Sequence, residues 1–77
     1  MMEIRIPKLG VAMTEGTIVQ WLVDDGAAVA AGEPLYVLET DKVENEIESP
    51  TTGVIRIVGT PGEVYDVGTL IATIDSE

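Results

Sequence analysis

The chain has few groups that could carry chemistry. It contains no His and no Cys, and its 4 Lys and Arg stand against 14 Asp and Glu. The commonest ligands for zinc, copper, haem and iron–sulfur centres are therefore missing, as are the commonest general base and the strongest nucleophile at neutral pH. Most familiar enzyme classes become improbable. Among the remaining groups Lys42 stands out by its place. Leu35-Tyr36-Val37-Leu38-Glu39-Thr40 and Val43-Glu44-Asn45-Glu46-Ile47-Glu48 are both strand-like, and only Asp41-Lys42 separates them. That puts Lys42 at a hairpin tip. Asp-Lys is not the pair that the favoured two-residue turns demand, because Lys disfavours a positive φ. Either Thr40 or Val43 joins the turn, or something other than turn stability selects Lys42.

A catalytic Schiff-base lysine needs its pKa lowered by burial or by a cationic neighbour. Glu39, Asp41 and Glu44 lie close in sequence to Lys42, and at a wet tip they favour the charged ammonium. Lys42 is thus not expected to be a nucleophile unaided. An outside enzyme that brings an activated carboxyl group and orients the amine could still acylate it. The plain alternative is an ordinary solvated hairpin lysine.

The elements that must position this tip follow from composition and alternation. Across 77 residues, 8 Gly and 4 Pro punctuate the chain so often that the longest stretch free of both runs from Leu35 to Ser49. A helical bundle is unlikely on that ground. The abundance of Val, Ile and Thr suits a pleated, half-buried surface. Alternation between turn signals predicts strands near Glu3 to Ile6, Thr17 to Val23, Val29, Leu35 to Thr40, Val43 to Glu48, Val54 to Val58, Val64, and Leu70 to Ile74. Within Val43 to Glu48, Val43, Asn45 and Ile47 share one face while Glu44, Glu46 and Glu48 form a wet acidic face. Asn45 needs a hydrogen-bond partner if buried. In the second strand, Gln20 suggests that Val19, Trp21 and Val23 point inward. The chain is one domain, residues 1–77. Its core is small and unstapled, and closing the sheet on itself is the obvious remedy.

An internal repeat organises these strands. Gly26 and Gly32 recur as Gly62 and Gly68 at an offset of 36 residues, and Gly16 recurs as Gly53 at 37. Leu35 and Val37 match Ile71 and Thr73 in step, and Glu3-Ile4-Arg5-Ile6-Pro7 resembles Glu46-Ile47-Glu48-Ser49-Pro50. Two β units, each too small to bury its own face, suggest halves packed about a pseudo-two-fold axis. The hairpin tip falls at their junction, so its symmetry mate is the pair of chain ends at the opposite end of the domain. The first half has one surplus loop, Lys8 to Glu15, where the second has only Thr51 and Thr52.

The formal charge of −10 argues against nucleic acid and against an anionic membrane surface. No apolar run approaches the length of a membrane span. The glycines are read as geometry, since no Gly-rich loop leads into a helix that could cradle a phosphate.

Glu39-Thr40-Asp41-Lys42-Val43, the repeat glycines and Ser49-Pro50-x-x-Gly53 together resemble the lipoyl domain of the dihydrolipoyl acyltransferase component of 2-oxo acid dehydrogenase complexes, over about Glu3 to Asp75. The resemblance implies an all-β fold, a flattened β-barrel or sandwich of two four-stranded antiparallel sheets, with lipoate amide-linked to Lys42. It implies that Glu39, Asp41 and Val43 around the lysine contribute to recognition. The surplus loop would lie near the lipoyl-lysine turn and take part in recognition by the partner dehydrogenase, with Gly10 and Met13 the foremost candidates. No catalytic residue and no metal ligand is expected in the domain itself.

The partners so implied are a lipoyl ligase or lipoyl/octanoyl transferase, a thiamine-diphosphate-dependent 2-oxo acid dehydrogenase, an acyltransferase core and a flavin-dependent dihydrolipoyl dehydrogenase. The sulfur chemistry would belong to the cofactor, which explains how a protein without Cys or His takes part. The isolated domain is expected to be a monomer. An initiating Met1-Met2 without a presequence leans toward bacterial cytoplasm over mitochondrial matrix. Biotin carrier domains resemble the same fold, but usually set their lysine between two methionines, where Asp41 and Val43 stand here. An unmodified lipoyl-like adaptor domain is a further alternative.

Overall fold

A computed structural model describes residues 1–41 and 43–76. Lys42, the foremost site residue of the sequence reading, lies outside the described residues. Eight strands follow one another: β1 (Met2–Arg5), β2 (Glu15–Trp21), β3 (Ala28–Val29), β4 (Pro34–Thr40), β5 (Val43–Glu48), β6 (Gly53–Ile57), β7 (Val64–Asp66) and β8 (Leu70–Asp75). They form two four-stranded antiparallel sheets, ordered β1-β8-β6-β3 and β5-β4-β2-β7. Among the described residues, no helix is long and apolar enough to cross a membrane.

The repeat is real in three dimensions. Adding four to the strand numbers of the first half turns one sheet order into the other, so the two sheets are copies of one pattern. Turn geometry repeats with it: Gly26 and Gly62 both have φ +87°, while Gly32 and Gly68 have φ +88° and +92°. The hydrogen bonds repeat as well. Gly26 N–H donates to the Ile55 carbonyl at 2.8 Å, and Gly62 N–H donates to the Ile18 carbonyl at 2.7 Å. A left-handed backbone at these four turns admits glycine without the steric penalty that a Cβ would bring.

Ile4, Ile6, Ile18, Leu35, Leu38, Ile55, Ile71 and Ile74 fill the space between the sheets, with Tyr36 set among them. The repeat partner of Tyr36, 36 residues on, is Ala72, also fully buried. Large faces small across the pseudo-axis, which lets one phenol ring occupy a core built from two similar halves. Trp21 lies against that ring at a centroid distance of 5.0 Å and a tilt of 48°. Its Nε1 donates to the Gly59 carbonyl at 3.0 Å, tying β2 of one sheet to the segment that follows β6 of the other.

Two expectations are corrected. The sheet does not close on itself; two separate sheets stack as a flattened sandwich, because β3 and β7 at their edges are only 2 and 3 residues long. Val19 does not point inward. Ile18 is fully buried and Val19 is 36% exposed, because the register with β4 shifts between Ile18 and Gln20. That bulge changes the phase of alternation, so Trp21 and Val23 still pack against the core.

Candidate functional site

The hairpin of β4 and β5 runs in unbroken register from Tyr36 opposite Ile47 to Thr40 opposite Val43. Neither Thr40 nor Val43 leaves the ladder, so Asp41 and Lys42 alone connect the strands. Asp41 takes φ 48°, the only non-glycine among the described residues with a positive φ. Asp tolerates this conformation better than most residues because its short carboxylate can bond locally. Of the two turn positions, the described one, Asp41, takes the left-handed conformation.

The structure brings the surplus loop beside this tip. Leu9 to Glu15 on one side and Thr40, Asp41, Val43 and Asn45 on the other line a cleft of about 750 Å³. Gly10 is exposed and Met13 half-buried, both in the cleft wall. Val43 opens β5, lines the same cleft and is 57% exposed. Asn45 is half-buried in that wall, so its amide has no need of an internal partner. Glu39 is set apart from the others. It lies on the other side of the tip in a smaller hollow with Thr17 and Val64, paired across the ladder with Glu44. Two like charges directly opposite weaken a hairpin slightly, and this pair adds to the acidic surface beside the tip.

Val11 was not singled out from sequence. It is 97% exposed at the crest of the loop, the most exposed large apolar residue described. The signal that could have found it is the pattern Leu9-x-Val11-x-Met13, three large apolar residues in a segment that the strand assignment leaves as a loop. Among the described residues there is no cluster of carboxylates suited to a metal ion. The described residues form a body 36 Å long and about 20 Å thick.

Comparison with known proteins agrees with this geometry. The family profile described as "Biotin-requiring enzyme" matches residues 2–74. The dihydrolipoyllysine-residue acetyltransferase component of the pyruvate dehydrogenase complex of Corynebacterium glutamicum is 44% identical over 73 residues, which is 94% of this chain and 11% of that protein. The dihydrolipoyllysine-residue succinyltransferase component of the 2-oxoglutarate dehydrogenase complex of Bartonella vinsonii is 41% identical over 75 residues, 96% of this chain and 18% of that protein. The chain thus spans less than a fifth of the length of either relative. The solution structure of the lipoyl domain of the 2-oxoglutarate dehydrogenase complex from Azotobacter vinelandii superposes with a TM-score of 0.83 at 30% identity, covering 99% of this chain and 98% of that domain. With the same two-sheet architecture over its whole length, the chain belongs to the biotinyl/lipoyl attachment family, as a lipoyl domain.

Proposed function

We propose that this chain is a lipoyl carrier domain, with lipoate amide-linked to Lys42, serving a 2-oxo acid dehydrogenase complex. The observation that carries this reading is the hairpin. Thr40 and Val43 hold a two-residue tip on a rigid ladder, and the surplus loop forms a cleft next to it. The residues present suit the group. Its attachment position lies between two exposed neighbours, Asp41 and Val43, beside an apolar loop surface of Leu9, Val11 and Met13.

When bound, lipoate supplies a dithiolane able to carry acyl groups and reducing equivalents. The protein's own residues supply the rest. The five cross-strand pairs from Tyr36 to Thr40 keep the base of the arm rigid. Glu39, Asp41 and Glu44 hold an acidic surface at the tip, while Gly10, Met13 and their neighbours give a partner something specific to recognise. The domain does no catalysis of its own. Its partners are a lipoyl ligase or transferase, a thiamine-diphosphate-dependent dehydrogenase, an acyltransferase core and a dihydrolipoyl dehydrogenase. Tethering within such an assembly raises the local concentration of the arm at each site. The setting is the bacterial cytoplasm, a reading supported by the bacterial relatives.

The test is intact-mass measurement of the chain after incubation with lipoyl ligase, lipoate and ATP, beside a matched biotin ligase reaction. One lipoyl adduct on Lys42 is expected, with no biotin adduct. Modification by biotin alone would move the chain to the biotin carriers, and modification by neither would make it a structural member of the fold.

A further inference from the structure

Apolar side chains that the fold leaves exposed gather at one place beside the tip. Leu9, Val11 and Val43 are all exposed and all line the cleft between the surplus loop and the hairpin, and half-buried Met13 lines it with them. The loop is held from its far side. The Thr14 carbonyl accepts from the Val67 N–H at 3.0 Å, just past β7, and Met13 packs against the buried core cluster. Within the loop, the Leu9 N–H donates to the Met13 Sδ at 3.2 Å and the Met13 N–H to the Gly10 carbonyl at 3.1 Å. Those ties hold one apolar wall apart from the other, so about 750 Å³ stays open between them. That volume falls within the range of about 300–1,000 Å³ that small-molecule sites occupy.

The chemistry of the lining selects its occupant. Glu15 and Asp41 stand in the same cleft, in a chain of formal charge −10, so an anion is repelled. The apolar walls give a hydrated cation nothing in exchange for its water. A neutral, mostly apolar group with one amide suits both conditions, since Asn45, half-buried in the same wall, offers an amide donor and an acceptor. Joining lipoate to a lysine makes such a group, because the amide bond removes the charge of the amine and of the carboxylate together. The attachment residue lies in sequence between Asp41 and Val43, and both of these line the cleft. A tether that short gives the arm a high effective concentration at the cleft, so weak apolar contacts suffice to hold it. We propose that the cleft is a resting site for the arm: Leu9, Val11, Met13 and Val43 receive its apolar end between transfers and shelter it from solutes. This rests on the carrier reading above and adds to it a place on the domain's own surface where the arm waits.

The experiment compares the chain before and after lipoylation, with the adduct first confirmed by intact mass. Amide and methyl NMR shifts are expected to move at Leu9 to Met13 as well as at Val43 and Asn45, with Overhauser contacts from the dithiolane ring protons to the Leu9 and Val11 methyls. Reduction by dithiothreitol gives a second readout: its two sulfurs join in a ring as the dithiolane S–S bond opens to two thiols. The double variant Leu9→Ser, Val11→Ser is expected to be reduced about threefold faster than the wild type, the factor for an arm sheltered about two-thirds of the time. Val58→Ser, which removes an exposed apolar side chain outside the cleft, should match the wild type. All three proteins carry the same charge, so repulsion of the reductant cancels, and melting should stay within about 3 °C because every substituted side chain is exposed. Equal rates in the wild type and the double variant, or shifts confined to the hairpin, overturn the proposal while the carrier reading survives. Sheltering that grows with protein concentration would place the arm on a second copy and overturn it too. Absence of the lipoyl adduct overturns the carrier reading and this inference with it.

Discussion

Thr40 and Val43 face each other as the last pair of the β4–β5 ladder, the fifth of five consecutive pairs that begin where Tyr36 meets Ile47. The tip is thereby anchored to the most buried strand of the molecule, since Leu35, Tyr36 and Leu38 of β4 are fully inaccessible. A group attached at such a tip inherits the rigidity of the core rather than the looseness of a surface loop. That relationship turns the place of the lysine into a testable property separate from its chemistry.

Lys42→Arg should abolish lipoylation and leave the melting temperature unchanged, because guanidinium is not a competent acyl acceptor. Intact mass after the ligase reaction checks it. Persistent attachment would direct attention to Lys8, the other lysine of the chain.

Moving the amine by one position is the sharper test. In Lys42→Ala combined with Val43→Lys, the lysine enters the ladder opposite Thr40, where successive side chains point to opposite faces. Labelling should fall at least about tenfold if the ligase reads tip geometry. Undiminished labelling would mean that local composition suffices.

Asp41 carries the turn at φ 48°. Asp41→Val places a β-branched residue in a region it avoids and should cost about 1–2 kcal/mol. Asp41→Gly should stay within about 1 kcal/mol of the parent, with strain relieved and unfolded-state entropy raised in opposition. Urea denaturation of the two variants separates them, and equal losses would show that the carboxylate, rather than the backbone conformation, holds the tip.

Much of this architecture is legible in the order of the residues. The spacing of Gly26, Gly32, Gly62 and Gly68 announces four equivalent turns because a positive φ excludes most other residues, a constraint that leaves its mark residue by residue. The alternation of Val43 to Glu48 is legible in part: Glu44, Glu46 and Glu48 are exposed and Asn45 and Ile47 half-buried, while Val43, next to the tip, is exposed as well. What alternation cannot reveal is a change of phase. The bulge between Ile18 and Gln20 reverses the inward set within one strand, and no residue in that stretch marks it. The closeness of Leu9–Glu15 to Asp41 and Val43 is likewise a consequence of how β1, β2 and β4 are arranged in two sheets, which local sequence does not encode. The resemblance anticipated that proximity, but Val11 emerged only from its exposure.

Gly53 tests the repeat from the side of close packing. A Cβ there would fall far inside contact with the backbone carbonyl of Asp75 on β8, whereas at its repeat partner Gly16 it would meet the Leu38 side chain at 2.8 Å. Backbone paired in a ladder yields less readily than a leucine rotamer. Gly53→Ala should therefore cost about 2–4 kcal/mol and Gly16→Ala about half as much, read from urea midpoints at constant m. A reversed order would mean that β8 frays at its end more easily than Leu38 repacks.

Tyr36 offers a test in which a lost polar atom should help. Its ring is fully buried, and its hydroxyl is the one buried side-chain polar atom without a hydrogen-bond partner among the described residues. Desolvation by burial pushes its pKa up to about 12 from 10.0. Tyr36→Phe keeps the ring against Trp21 and removes the unpaired group, so at neutral pH it should be neutral or stabilising by up to about 1–2 kcal/mol. The alkaline limb gives the sign of the ionisation. Because the folded value is the higher one, between about pH 10 and 12 the unfolded chain has released the phenolic proton while the folded chain still holds it, and stability falls over that window. Two units correspond to roughly 2–3 kcal/mol, all present below pH 10 and lost by pH 12. The difference in unfolding free energy between Tyr36→Phe and the parent should thus widen by about that amount from pH 8 to pH 12, with Tyr65 common to both proteins and cancelling. A constant difference across the range would show that the hydroxyl finds a partner in solution.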